Sequence, residues 1–174
     1  MAEHLDNDLT DLLERVATLS GLTLSEVQQI YAKAKESATM AELFDIPQSS
    51  LDACYTLAYN FYSSDKYGDA EVMFRMLCQY QHLEPKHWIG LGCTRQKQGD
   101  YQEAAICFSK AAQLGGSPRI KPLFLLAQCC TAVEDLAGAK LLLDLAIQLD
   151  PGKDPTEQQY FQLAKDLLAN LPKE

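Results

Sequence analysis

An all-α solenoid of stacked helix–turn–helix units is the fold this sequence predicts, and three observations predict it. Small residues recur at Ala58, Gly92 and Ala127, 34 and then 35 residues apart. A second small set, Ala70, Ala104 and Ala139, keeps the same spacing, with Phe74, Phe108 and Leu143 four residues further on. Each unit also carries a turn with an acid ahead of its second helix: Asp65-Lys66-Tyr67, Gly99-Asp100-Tyr101 and Glu134-Asp135-Leu136. The small residues let two helices approach closely, and the large one fills the space toward the next unit. Leu at Gly92 or Ala104 is therefore expected to overpack the contact at a cost of about 1–3 kcal/mol.

A helix–turn–helix unit of this period is the tetratricopeptide repeat. Three repeats fall at about 50–83, 84–118 and 119–152, inside a domain spanning 47–174 that follows an N-terminal helical region, 1–46. In that region Leu5, Leu9, Leu12, Val16 and Leu19 step by 4, 3, 4 and 3, which is a coiled-coil seam over two heptads. Gly21 suits a C-cap, and Thr23-x-x-Glu26 is a capping box that starts a second helix running to about Leu43. Asp45-Ile46-Pro47 then breaks the pattern. Two heptads do not make a stable coiled coil alone, so the seam packs either on its own repeats or on a second copy of the chain.

The first repeat places helix A over about Ser50–Ser63 and helix B over Tyr67–Tyr80; the second places them over Pro85–Gln98 and Tyr101–Leu114. Ser117-Pro118 reads as N-cap and first helical residue of the third helix A, ending near Val133, with its partner over Leu136–Leu149. Asp150-Pro151-Gly152 stops that helix. Asp154-Pro155-Thr156-Glu157 combines an Asp N-cap, Pro at the first position and Glu at the third, opening a capping helix within 154–171. Its Tyr160, Phe161, Leu163, Ala164, Leu167 and Leu168 are expected to cover the open end of the stack.

Composition narrows the function classes. Net charge is −9, with 24 acids and 15 bases, and the acids crowd the two ends of the chain while residues 51–133 are near neutral. No cluster of Lys and Arg offers phosphates a partner, which argues against nucleic acid and anionic membrane surfaces. No apolar run reaches the ~20 residues of a membrane span, and the acidic start Met1-Ala2-Glu3-His4-Leu5-Asp6 lacks a signal peptide's layout. A cytoplasmic protein is expected. The six cysteines show no CxxC pair and fall mostly on apolar faces, as small buried hydrophobes would, and no metal or other cofactor is expected. His4, His82 and His87 are the only histidines; His82 and His87 sit near a turn and are expected to be solvated. With no nucleophile–histidine motif, phosphate loop or HExxH pattern, the chain reads as a non-enzyme.

Repeat arrays of this kind bind extended peptides on the inner face formed by helices A. On the first helix A, Tyr55, Tyr59 and Tyr62 lie at i, i+4 and i+7, on one face. The matching positions are Ile89, Cys93 and Gln96 in the second repeat, and Phe124, Gln128 and Thr131 in the third. Together they predict an aromatic–aliphatic trough for an apolar segment. Trp88 falls on an interhelix packing mark and is expected in the core, and Tyr67 and Tyr101 are expected to pack at the turn into helix B. Clamps for a C-terminal carboxylate need Lys and Asn in such a groove; Tyr55, Tyr59, Gly90 and Leu125 stand there instead.

The run Ser50-Leu51-Asp52-Ala53-Cys54-Tyr55-Thr56-Leu57-Ala58-Tyr59-Asn60-Phe61-Tyr62, the phrase Asp65-Lys66-Tyr67-Gly68-Asp69-Ala70, and Trp88-Ile89-Gly90-Leu91-Gly92-Cys93-Thr94-Arg95-Gln96 resemble the class II chaperones of bacterial type III secretion, over roughly residues 45–150. The resemblance implies a chaperone in the bacterial cytosol that binds two hydrophobic translocator proteins before secretion, each through a short extended segment in the groove. Tyr55, Tyr59, Tyr62 and Tyr67 match the family's aromatic groove positions. It also implies homodimerisation through the N-terminal helices. Two departures stand out: His87 where an aromatic is usual, and one extra residue around Lys121-Pro122. A generic repeat adaptor without a secreted client is the alternative reading.

Overall fold

The structure is a computed structural model that describes residues 2–36, 38–116 and 119–172, with side chains from residue 9 onward. Its contacts divide the chain into two compact units, Met1–Pro47 and Gln48–Glu174.

The first unit holds α1 (Ala2–Ser20), α2 (Leu24–Glu36) and α3 (Met40–Leu43). Gly21 ends α1 at φ 74°, a left-handed conformation that glycine adopts without penalty. Thr23 and Glu26 close the expected capping box: the Glu26 carboxylate accepts the Thr23 N–H at 2.7 Å, and Thr23 Oγ1 accepts the Glu26 N–H at 3.3 Å. The Thr23 N–H and the Thr23 hydroxyl, both donating to Glu26 Oε2, hold this carboxyl below its usual range. The helix expected to continue to Leu43 is interrupted instead. Thr39 is extended, and a second capping box with Glu42 starts α3. Two reciprocal bonds at Thr39 outweigh the weak apolar periodicity that favoured one long helix.

The second unit stacks α4 (Gln48–Ser63), α5 (Tyr67–Tyr80), α6 (Pro85–Lys97), α7 (Tyr101–Gln113), α8 (Ile120–Ala132), α9 (Leu136–Gln148) and α10 (Pro155–Asn170). Each helix packs on the next in sequence, and α4 also meets α6 while α8 also meets α10. That is the pairing of helix–turn–helix units laid side by side. The expected N-cap Ser117 and Pro118 lie outside the described residues; α8 is described from Ile120.

The recurring small residues do what their spacing suggests. Ala58, Ala70, Ala104, Ala127 and Ala139 are wholly buried. A Cβ on Gly90 would collide with the Phe74 ring, and one on Gly92 would lie 2.6 Å from Phe108 Cε1. Phe74 therefore reaches into the next repeat, whereas Phe108 fills its own. The three turns between helices A and B put equivalent residues in the left-handed region: Asp65 at φ 58°, Gly99 at 83° and Glu134 at 63°. Arg95 ties the second repeat to the first and to its own helix B. Its guanidinium meets Glu71 of α5 at 3.2 Å and Glu103 of α7 at 2.8 Å.

Three expectations are corrected. His87 is buried, only 1 % exposed, not solvated. Trp88 is half-buried, its indole N–H donating to the His82 carbonyl at 2.7 Å. Leu163 is exposed; Ala164 is the wholly buried apolar residue of α10, with Tyr160, Phe161, Leu167 and Leu168 packed partly against the core.

Candidate functional site: the face of helices A

The first-repeat wall is open. Tyr59 on α4 is 56 % exposed, and Tyr55, Tyr62 and Tyr67 are half-buried. Ala58 is buried while the phenols on the adjoining face keep part of their surface accessible. Tyr55 packs edge-on to Phe74 at 5.8 Å and tilts over the His87 ring at 5.7 Å. Tyr62 meets Tyr67 edge-on at 5.8 Å, and the Tyr67 hydroxyl donates to the Asp65 carboxylate. Lys86 lies 5.2 Å from the centre of the Tyr55 ring.

Electrostatics ties this wall to its far side. Burial pushes the Tyr62 hydroxyl up to about 12, and the Cys93 thiol, Tyr67, Tyr160 and Tyr59 add to the rise. Burial raises Cys93 and Tyr160 as well, with Cys93 contributing to the shift of Tyr160. Such mutual effects require proximity. Tyr62 of α4, Cys93 of α6 and Tyr160 of α10 are thus near enough to influence one another's titration. Phenols are neutral at physiological pH in any case, so the face carries neutral hydroxyls among apolar ring surface.

Not every expected groove residue lines an open surface. Cys93, Gln96 and Gln128 are half-buried and remain accessible. Ile89 and Phe124 are each 6 % exposed and belong to the core cluster. Phe124 is covered because Tyr160 of α10 packs on it at 5.5 Å; neither residue offers a trough wall. Tyr160 is a member of this neighbourhood that sequence spacing missed, since it reads as one more apolar residue on the capping helix. The N-terminal seam is also open: Leu12, Val16 and Leu19 are 54, 42 and 88 % exposed, Leu9 is half-buried, and the Leu5 side chain lies outside the described residues. Among the described residues no cluster of His, Cys, Asp or Glu could hold a metal ion, and no helix is long and apolar enough to cross a membrane.

Comparison with known proteins decides the family. The tetratricopeptide repeat family matches residues 51–82 and 85–113. The chain is 36 % identical to the low calcium response locus protein H of Yersinia pestis, over 66 % of this chain and 68 % of that protein. It is 30 % identical to the chaperone protein SicA of Salmonella typhimurium, over 68 % and 71 %. Among solved structures, the type III secretion translocator chaperone SycD of Yersinia enterocolitica superposes with a TM-score of 0.71 at 31 % identity, over 76 % of this chain and 98 % of that one.

The chain belongs to the class II chaperones of type III secretion translocators. SycD is also known in complex with a peptide of the translocator YopD (TM-score 0.65, 30 % identity, 72 % of this chain and 95 % of that one). PcrH of Pseudomonas aeruginosa is known with the chaperone binding region of PopD (0.67, 27 %, 72 % and 93 %).

Proposed function

We propose that this chain holds an extended apolar segment of a hydrophobic translocator against the face of helices A, keeping the translocator soluble and fit for secretion. The open phenol wall carries the proposal: Tyr55, Tyr59, Tyr62 and Tyr67 present accessible ring surface on a family fold whose relatives take translocator peptides. Cys93, Gln96 and Gln128 continue the surface, while Ile89 and Phe124 support it from below.

The physics is burial. A protein destined for a membrane exposes apolar segments that aggregate in water. Covering about 400 Å² of that surface is worth roughly 10 kcal/mol before the cost of ordering the segment. Acidic ends on the chain keep the loaded complex soluble. No bond is made or broken, so the protein works without catalysis, in the bacterial cytoplasm, on two translocators. Residues 47–174 form the client-binding domain. Residues 1–46 pair two copies through Leu5, Leu9, Leu12, Val16 and Leu19, which gives the exposed seam a partner.

Tyr59→Ala combined with Tyr62→Ala tests the reading. Client binding is expected to fall at least tenfold, as for truncated aromatic anchors, with the helical circular dichroism unchanged. Unaltered affinity in the folded double variant rejects the groove assignment. For the seam, Leu12→Asp with Val16→Asp is expected to halve the mass seen by sedimentation.

A further inference from the structure

The closing helix α10 contributes a side chain to the binding face, through a contact that the repeat pattern does not contain. Glu157 is 5 % exposed. Its Oε2 accepts the N–H groups of Arg119 and Ile120 at 2.9 Å each, and its Oε1 accepts that of Lys121 at 3.3 Å. These are amides at the start of α8, which has no side-chain cap from its own N-cap residue. Asp154 caps α10, bonding the Thr156 N–H at 2.8 Å, which frees Glu157 to reach across 37 residues of sequence. A carboxylate at this position satisfies orphan donors and meets the positive end of the helix.

Tyr160 follows Glu157 by three residues, on the same face of α10. Its ring covers Phe124 at 5.5 Å, and Lys121 Nζ lies 5.4 Å from the ring centre. Phe124 is sealed beneath, yet Tyr160 keeps part of its surface in water. At the third repeat the accessible aromatic is thus on the capping helix, not on helix A.

We propose that Tyr160 is a client-contact residue forming the third-repeat end of the groove, and that Glu157 is the positioning residue that sets it there by holding the start of α8. The proposal rests on the groove reading given above. The charge effect of Tyr160 on Tyr62, and of Cys93 on Tyr160, agrees with it. Beside Lys121, the client segment meets this end with an apolar side chain on the ring and an oxygen acceptor on the ammonium.

Fluorescence anisotropy on the full chain, with the YopD peptide and the chaperone binding region of PopD as probes, tests both parts. Tyr160→Ala is expected to weaken binding about tenfold, and Tyr160→Phe to stay within about twofold, because the ring supplies the contact. Trimming the peptide from the end that lies on α10 should abolish the Tyr160→Ala penalty and leave the Tyr59→Ala penalty intact. Glu157→Gln should weaken binding less than Tyr160→Ala, and the double variant no more than Tyr160→Ala alone. A purely structural Glu157 would instead add its loss to that of Tyr160. Wild-type affinity in Tyr160→Ala, with binding lost in Tyr59→Ala plus Tyr62→Ala, overturns this inference alone. Failure of both peptides to bind the wild-type chain overturns the groove reading and this inference together.

Discussion

Helices α4 and α8 occupy equivalent places in their repeats and are treated in opposite ways. Of the 16 residues of α4, Leu51 and Ala58 are buried. Of the 13 of α8, Ile120, Pro122, Leu123, Phe124, Leu125, Ala127 and Cys129 are buried. Two packing differences account for this. α8 is covered by α10 as well as by α7 and α9, and its sequence is apolar almost all round, where α4 alternates apolar residues with phenols. Equivalence in a repeat therefore fixes which way a residue points, but not whether it meets water. The next helix decides that.

The sharpest way to break this contrast is to truncate the covered ring. Phe124→Ala should destabilise the protein by about 3–5 kcal/mol, a typical cost for a large buried aromatic, read as a lower denaturation midpoint. Truncating the open wall should act on binding instead. Tyr59→Ala is expected to change stability by no more than about 0.5 kcal/mol, as at other exposed positions, in the same denaturation experiment. If Tyr59→Ala and Phe124→Ala destabilise equally, the two walls do not differ as described.

A third test concerns what lies under the open wall. Burial lowers the pKa of His87 from its usual 6.5, and nearby Lys86 adds to this, while the Gln81 backbone, Glu84 and Asp52 oppose it. The folded state therefore takes up the proton at lower pH than the unfolded state. Stability from a neutral buried His87 is complete above pH 6.5 and is lost as pH falls through the folded value. Melting temperature should drop as pH falls below about 6.5, and drop less in His87→Phe. An equal drop in both proteins would assign the effect to other groups.

A last test concerns the turns. Glu134 holds a left-handed conformation that Gly99 holds in the second repeat. Glu134→Gly should stabilise the third repeat by up to about 1 kcal/mol, since the strain relieved exceeds the added chain entropy. Asp65→Gly should gain less, because it also removes the acceptor of the Tyr67 hydroxyl.

Much of the solenoid was legible. The period located α4 to α9 to within a few residues, because Ala and Gly at fixed spacing leave one way to stack, and the Asp154–Glu157 capping pattern located α10. The break before α3 was legible too, as Thr39-x-x-Glu42, but was masked by the apolar residues on either side. His87 illustrates the limit of residue type as a guide. It steps by 4 to Leu91 and by 3 to Thr94, both buried, so periodicity placed it inside while its polarity suggested water. Tyr160 and Glu157 were not legible in role, since their partners Phe124 and Arg119–Lys121 lie more than thirty residues away and follow no repeat.

The bond from Glu157 to the start of α8 also sets where the chain can be cut. A fragment ending after the third repeat, near Gly152, would leave the amides of Arg119, Ile120 and Lys121 without their acceptor and uncover Phe124. A minimal binding reagent made from this protein must therefore extend through Asn170, and a shorter one would misreport the parent's preference for its ligands.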